Sequence, residues 1–268
     1  MRFLKPKSWD PGEKLYELEY NPSDGLAERN YDTHQIYDIP IHDLRPLKGK
    51  LSLDREGFVI LDLPSSMKYE DYLDETKLKS VFAEELRQCL LNTLGARAVF
   101  IHECVIRKRD KEGFVRGEDD KGYGLPIPLA HTDYTVEYIS RLIGQLFGDQ
   151  ADDIRKHRFQ MINVWKPLRG PLRDWPLAMC DIRSVDTNDM QRLDEVHTED
   201  FLESYQIQYN EGQKWWYLSE QRPDEVLVFK GADSEIRGAV PHGSFCDPRC
   251  PEDEPKRESI ECRVLVVY

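Results

Sequence analysis

The sequence predicts a mainly β fold, a barrel or sandwich of short strands with flanking helices packed against it. Two observations support this prediction. Short apolar segments bounded by turn residues recur through the second half of the chain, whereas both segments with helical periodicity lie within the first 150 residues. The composition is that of a globular protein, because 40% of the 268 residues are hydrophobic and 10% are aromatic.

The charge and the cysteine pattern exclude several classes of protein. A formal net charge of −13 disfavours a nucleic-acid or anionic-membrane partner, since phosphate binding requires a basic surface. No apolar run approaches the ~20 residues of a membrane helix, and residues 1–7 lack the apolar core of a signal peptide. The six cysteines are scattered, and only Cys246 and Cys250 lie close together. We therefore expect a cytoplasmic protein with reduced cysteines.

We expect a single domain over residues 1–268, in which residues 1–95 form an N-terminal arm and a buttressing helix. Residues 1–50 are polar without a sustained period, which predicts an extended arm, and residues 57–61 form a short apolar strand. The buttressing helix is predicted by apolar residues at every fourth position and by a glycine that ends it: Leu78, Phe82, Leu86, Leu90, Leu94 and Gly95.

Residues 96–268 are predicted to form the β core with an inserted helix and loops. The helix covers 136–147 and ends at Gly148, whereas residues 166–195 have the prolines and polarity of a loop. A turn at 210–212 predicts a hairpin between the strands 205–209 and 214–218. The other predicted strands are 98–106, 159–165, 225–230 and 257–268.

The sequence His131-Thr132-Asp133 follows a short apolar segment, so it lies at the end of a strand or in the turn after it. An imidazole and a carboxylate two residues apart can both reach one cation. A second imidazole from His242, about 110 residues later, would complete three ligands on one face of the ion. Two histidines and one carboxylate leave three adjacent coordination positions open on Fe(II).

A competing motif of the same type is His197-Thr198-Glu199. Spacing does not exclude it as the partner of His242. Its surroundings are rich in acidic residues and no apolar strand precedes it, which favours a solvated surface. The sequence thus favours His131 over His197 and leaves both open.

The closing strand supplies candidate ligands for an anion. By strand periodicity Arg257, Ser259 and Arg263 share one face. A guanidinium offers a planar fork to a carboxylate, and a neighbouring hydroxyl suits a dicarboxylate cosubstrate. The two arginines are six residues apart, roughly 20 Å of strand, so only one should bind the same small anion. Ser259 slightly favours Arg257, but Arg263 stays open.

Two further residues are candidates for substrate binding. Asn163 and Trp165 share a strand face with Met161. A buried amide on an otherwise apolar strand requires a hydrogen-bond partner, which a substrate could provide. The alternative is a core amide that is bonded to the backbone.

The order His-x-Asp, distal His and Arg-x-Ser resembles the Fe(II)/2-oxoglutarate-dependent oxygenases. Within them, several segments are similar to the fungal asaB-type hydroxylase/desaturase family. These segments are RFQMINVWKP at 158–167, PLAMCD at 176–181, VLVFK at 226–230 and RESIECR at 257–263. The resemblance extends from about Leu53 to the C-terminus.

This resemblance implies a double-stranded β-helix core (jelly-roll or cupin-like) and an iron site at His131, Asp133 and His242. It also implies 2-oxoglutarate held by Arg257 or Arg263, with O2 as cosubstrate. The expected reaction oxidises an unactivated C–H bond of a small molecule of secondary metabolism by hydroxylation, desaturation or oxidative cyclisation. The alternatives are a zinc-dependent hydrolase or isomerase with the same three ligands and a non-catalytic cupin-like binding protein.

Overall fold

The protein, seen as a computed structural model, is described over residues 1–22, 25–32, 35–109, 123–236 and 238–268. Two β-sheets contain nearly all of its strands in this part of the chain. The strands are β1 Arg2–Phe3, β2 Leu15–Leu18, β3 Gln35–Ile36, β4 Ile41–Asp43, β5 Phe58–Asp62, β6 Ala98–Lys108, β7 His131–Thr132, β8 Phe159–Pro167, β9 Leu177–Cys180, β10 Met190–Val196, β11 Phe201–Ile207, β12 Trp215–Tyr217, β13 Glu225–Asp233, β14 His242–Ser244 and β15 Glu258–Val267.

The smaller sheet has five antiparallel strands in the order β5-β13-β8-β15-β6. Its central strand β8 has two different faces because side chains alternate along a strand. Ile162 and Val164 lie in the hydrophobic cluster beneath the helices, whereas Trp165 packs against residues of the larger sheet such as Met179. The face that carries Met161, Asn163 and Trp165 is therefore turned to the interior between the sheets.

The larger sheet has eight strands in the order β2-β10-β11-β7-β14-β9-β12-β4. Both edge strands come from the N-terminal arm, since β2 pairs in parallel with β10 and β4 pairs in parallel with β12. The arm also covers the outer face of this sheet, where Phe3 packs edge-on against Trp215. The predicted mainly β architecture is confirmed.

The buttressing helix runs from Glu75 to Leu94 as three consecutive segments: α1 Glu75–Lys77, a π-helical segment Leu78–Phe82 and α2 Ala83–Leu94. The Asp74 side chain caps its start by accepting hydrogen bonds from two backbone N–H groups. Gly95 ends it with a φ of 64°, a left-handed conformation that favours glycine. The predicted helix and its glycine end are confirmed, and the π-helical segment is an unpredicted irregularity within it.

The second predicted helix is also confirmed as α3 Val136–Phe147, which a short helix, α4 Ala151–Arg155, follows. Thr135 caps the start of α3 by accepting a hydrogen bond from the backbone N–H of Tyr138. Its buried residues Ile139, Leu142 and Ile143 pack at one end of the sheets. No helix in the described ranges is long and apolar enough to cross a membrane.

Two predictions about the strands are wrong, namely the hairpin between 205–209 and 214–218 and the loop over 166–195. The segments around 205–209 and 214–218 do not pair with each other, because β11 lies between β10 and β7 while β12 lies between β9 and β4. The hairpin partner of β11 is β10, which falls in the region predicted as a loop together with β9. The residues of β10 are mostly polar because much of that strand is only half-buried, so periodicity did not reveal it.

The expectation of reduced cysteines is wrong for one pair. Cys104 on β6 and Cys262 on β15 are direct partners in the strand register, and a disulfide bond joins them. They are 158 positions apart in sequence, so only the register of the sheet could indicate the pair. The cysteines that remain free are Cys89, Cys180, Cys246 and Cys250.

Candidate active site

The register of the larger sheet brings the two predicted histidine ligands together. His131 on β7 lies directly opposite His242 on β14. Side chains of directly opposed residues point to the same face with Cβ atoms about 4.5–5.5 Å apart. The imidazole rings accordingly lie side by side with their centroids 4.4 Å apart. Asp133 is two residues beyond His131 and turns to the same face.

Three donor atoms of these residues converge on one point. The Asp133 Oδ1 atom lies 3.4 Å from His131 Nε2 and 3.8 Å from His242 Nε2. The Nδ1 atoms donate hydrogen bonds to the carbonyls of Leu129 (2.8 Å) and Val240 (3.1 Å). Because a carbonyl only accepts, each Nδ1 carries the proton and each Nε2 lone pair faces the shared point.

This donor set fits Fe(II), which takes two neutral imidazoles and one carboxylate. Burial, together with the neighbouring His131, lowers the pKa of His242 and favours its neutral form. We refer to His131, Asp133 and His242 as the candidate metal site. Within the described ranges, the potential ligand atoms of these three residues all lie within 4.8 Å of one another.

The competing motif lies elsewhere. His197 is exposed, in the turn between β10 and β11, and its backbone N–H donates to the Asp200 carbonyl at 2.8 Å. It takes no part in the group of three donors. A strand, β10, does precede it in the region predicted as a loop, but that strand is mostly polar and the ring is exposed to solvent.

Arg257 is 2% exposed, and its guanidinium has neutral partners. Its Nη1 donates to the Ser244 hydroxyl at 2.6 Å and to the Trp175 carbonyl at 2.8 Å. The guanidinium carbon lies 5.3 Å from the centre of the Trp165 ring. Over the described ranges its Nε has no hydrogen-bond partner and no carboxylate pairs with it.

Burial and the nearby charge of Arg107 lower the pKa of Arg257, and the more distant carboxylates of Glu261 and Asp174 offset this only in part. Ser259, on the same face of the closing strand, is fully buried, and its hydroxyl also lacks a partner in the described ranges. We refer to Arg257, Ser244 and Ser259 as the candidate anion site. A carboxylate there would satisfy the cation and the hydroxyl together.

Arg263 has different surroundings. Its Nη1 contacts the Glu103 carboxylate at 2.5 Å and its Nε lies 3.4 Å from Asp133 Oδ2. Acidic neighbours, Asp133 foremost, outweigh burial and raise the pKa of Arg263. Arg257, just before β15, and Arg263, within it, thus contact separate sets of residues, and Arg263 adjoins the candidate metal site.

The two predicted substrate-binding residues contact the machinery of the site. The Asn163 amide donates to Asp133 Oδ2 and, at 3.0 Å, to Glu261 Oε1. Trp165 lies against Arg257. The backbone partner that we considered for Asn163 is not its hydrogen-bond partner here, since both acceptors are carboxylates.

Sequence reasoning missed Ser244, Trp175 and Gln206. Ser244 is two residues after His242, so strand periodicity could have placed it on the same face. Gln206 lies directly opposite His131 on β11, and its Oε1 is buried without a partner in the described part of the chain. Finding it required the strand register. No sequence pattern indicates Trp175. In the structure it has a φ of 47°, and its carbonyl accepts a hydrogen bond from Arg257.

Comparison with known proteins places the chain. A family model described as "Oxidoreductase/YMDC permease-like domain" matches residues 1–267. The Fe(II)/2-oxoglutarate-dependent dioxygenase nvfI of Aspergillus novofumigatus is 30% identical, over 99% of this chain and 95% of that protein. The hydroxylase/desaturase efuI of Hormonema carpetanum is 29% identical, over 91% and 87%.

A solved structure of the iron and alpha-ketoglutarate-dependent endoperoxidase NvfI superimposes with a TM-score of 0.86 and 29% identity, over 100% of this chain and 96% of that chain. The chain therefore belongs to this oxidoreductase family, and the relatives that it matches are Fe(II)/2-oxoglutarate-dependent oxygenases. Within them it is related to the fungal hydroxylases and desaturases. The predicted family, jelly-roll core and enzyme class are confirmed, and so are Fe(II) and 2-oxoglutarate as cofactors.

Proposed function

We propose that His131, Asp133 and His242 hold Fe(II) and that Arg257 is the residue that binds the distal carboxylate of 2-oxoglutarate. The enzyme then oxidises a C–H bond of a small molecule of secondary metabolism. Relatives are named hydroxylase/desaturase and endoperoxidase, which supports an oxidation of this type without fixing its outcome. We also propose that residues 1–268 act as one cytoplasmic catalytic domain.

The observation that carries this proposal is the unsatisfied polarity of the candidate anion site. A buried guanidinium without a carboxylate and a buried hydroxyl without a partner are both costly unless a ligand completes them. The guanidinium of Arg263 is already paired, because it contacts the carboxylates of Glu103 and Asp133. Arg257 is therefore favoured over Arg263.

The spacing of the two sites suits a five-carbon dicarboxylate. Ser244, which contacts Arg257, is two residues from His242 on the same strand. Two residues of strand extend about 7 Å. A molecule whose keto-acid end reaches the metal and whose other carboxylate reaches Arg257 must bridge a gap of this order, as 2-oxoglutarate does.

Bound Fe(II) would supply the oxidising chemistry together with 2-oxoglutarate and O2. The residues of this chain provide geometry and shielding. The backbone carbonyls of Leu129 and Val240 keep both imidazoles in the ligating tautomer. Trp165, only 1% exposed, covers Arg257. Its ring would exclude water from the ion pair between Arg257 and the distal carboxylate of bound 2-oxoglutarate.

Metal content of purified variants tests the assignment of the ligands. His131→Ala, Asp133→Ala and His242→Ala should each abolish iron loading and turnover, since two ligands hold the ion far more weakly than three. His197→Ala is the matched control and should load iron normally. Normal loading of the His131 variant with loss in the His197 variant would transfer the site to the competing motif.

The nature of the reaction is tested separately. Metal-free enzyme reloaded with Fe(II) should consume 2-oxoglutarate and O2, whereas enzyme reloaded with Zn(II) should not. Turnover with Zn(II) that is independent of 2-oxoglutarate would support the hydrolase or isomerase alternative.

A further inference from the structure

The two oxygens of Asp133 have separate partners. Oδ1 faces the Nε2 atoms of His131 and His242, at 3.4 and 3.8 Å. Oδ2 accepts a hydrogen bond from the Asn163 amide and lies 3.4 Å from the Nε of Arg263. One oxygen is thus directed to the candidate metal site, and the other is held from the opposite side by the smaller sheet.

Asn163 is fully buried and lies between two carboxylates. Its Nδ2 has two hydrogens, and the two acceptors are Asp133 Oδ2 and Glu261 Oε1. The reverse orientation of the amide would direct its oxygen to two anions, so the electrostatics select the observed orientation. The second acceptor, Glu261, also lies 3.7 Å from the Nε of Arg107. Asn163 is therefore also held by a carboxylate that is not one of the three residues of the candidate metal site.

We propose that Asn163 is a positioning residue that keeps Asp133 monodentate, with Arg263 as a second support and Glu261 as the anchor of the amide. With Oδ2 occupied, the carboxylate offers one oxygen to the ion and leaves the three adjacent positions open for cosubstrate and O2. This inference rests on the proposed metal site and replaces our expectation that Asn163 binds substrate.

Binding of Co(II), used as an inactive probe, tests this role without turnover. Asn163→Ala should weaken Co(II) binding about 10- to 100-fold, as is usual for partners that orient a metal ligand. It should also change the ligand-field absorption of the bound Co(II), because the freed carboxylate can coordinate through both oxygens. A purely structural residue would not alter that spectrum.

Gln160→Ala is the matched control. Gln160 is on the same strand, is equally buried and donates its amide to a carboxylate, that of Asp233, at 2.8 Å. Its loss should reduce thermal stability while leaving Co(II) affinity and spectrum unchanged. If Asn163→Ala does not fold, Glu261→Leu gives the second test, because it removes the anchor of the amide and leaves Asn163 and the three residues of the candidate metal site in place. It should weaken Co(II) binding about 2- to 10-fold.

The outcomes separate this inference from the proposed function. One outcome would overturn the positioning role alone. In it, the wild-type and Gln160→Ala enzymes bind Co(II), and the Asn163→Ala enzyme binds it with unchanged affinity and an unchanged spectrum. For Glu261→Leu, unchanged binding would do the same. Failure of the wild-type enzyme to bind Co(II) would overturn the metal site and the inference together.

Discussion

Arg257 immediately precedes β15 and Arg263 lies within it, yet the environments of the two arginines are opposite. Arg263 has carboxylates on two sides, Asp133 and Glu103, and their charges raise its pKa. Arg257 has a hydroxyl, a carbonyl and an aromatic ring as partners, and burial lowers its pKa. Arg263 is already paired with carboxylates of the protein, whereas no carboxylate within the described ranges pairs with the guanidinium of Arg257.

An arginine on an inward face is not identified as ligand-binding by its residue type alone. Its partners identify it. A paired guanidinium stabilises the folded state and orients its neighbours. An unpaired one destabilises the free protein and recovers that free energy when an anion binds.

The largest expected effect comes from removing the unpaired guanidinium. Arg257→Gln should raise the dissociation constant of 2-oxoglutarate about 30- to 5,000-fold, because a buried charge-assisted pair contributes ~2–5 kcal/mol. Arg263→Gln should change it only a few-fold. Titration of the Fe(II)-loaded enzymes with 2-oxoglutarate under anaerobic conditions measures both constants.

Stability should respond in the reverse order. Without 2-oxoglutarate, Arg257→Gln should retain or raise the melting temperature, whereas Arg263→Gln should lower it because it leaves the buried Asp133 carboxylate with fewer partners. A cosubstrate defect confined to the Arg263 variant would reverse the assignment. If neither variant binds 2-oxoglutarate more weakly, the cosubstrate site lies elsewhere.

Much of this site could be predicted from sequence because several of its residues are two positions apart, the spacing that places side chains on the same face of a strand. His131 and Asp133 are two residues apart, and so are Arg257 and Ser259. The helix over Glu75–Leu94 was also predictable, since its apolar stripe repeats along a single segment.

The remaining features depend on how strands pair over long distances. Gln206 adjoins His131, and Cys104 adjoins Cys262, only through the register of neighbouring strands. The hairpin was predicted wrongly for the same reason: the turn at 210–212 exists, with Gly212 N–H donating to the Asn210 side chain, but the strands on either side pair with other partners. A local turn signal does not specify the strands that pair.

Lys166 is another buried cation, and its surroundings differ from those of both arginines. It follows Trp165 on β8 but faces the helices, and it is 3% exposed. Its Nζ donates to the Tyr72 hydroxyl at 2.8 Å and lies 5.3 Å from the centre of the Phe82 ring. Like Arg257 it pairs with no carboxylate in the described ranges, yet aromatic and apolar groups fill the space around it. We therefore expect a structural lysine and no anion site.

Lys166→Met should stabilise the protein at pH 7 by about 1–3 kcal/mol, because burial lowers the pKa of Lys166 from 10.5 to about 8. Between pH 8 and 10.5 the unfolded lysine still holds a proton that the folded one has lost. Wild-type stability therefore rises with pH in this window, and the advantage of the variant should shrink. Denaturant unfolding at pH 7, 9 and 10.5 measures this change.

The binding of 2-oxoglutarate to Lys166→Met should equal that of the wild type. Weaker binding would show that a buried cation without a carboxylate can act on the cosubstrate from the helix side of the sheet. If the stability difference between Lys166→Met and the wild type stays constant from pH 7 to 10.5, the charge of Lys166 does not destabilise the folded protein.

The smallest expected effect concerns Ser259, whose hydroxyl lacks a partner in the described ranges when no cosubstrate is present. Ser259→Ala should leave the stability of the free enzyme unchanged or slightly higher, because it removes a buried polar group that makes no hydrogen bond. It should weaken 2-oxoglutarate binding about 2- to 10-fold, the value of one hydrogen bond of ~0.5–1.5 kcal/mol. Ser8→Ala is the control, since that hydroxyl is likewise buried without a partner but belongs to the N-terminal arm. Equal cosubstrate binding by both variants would restrict the anion site to Arg257 and Ser244.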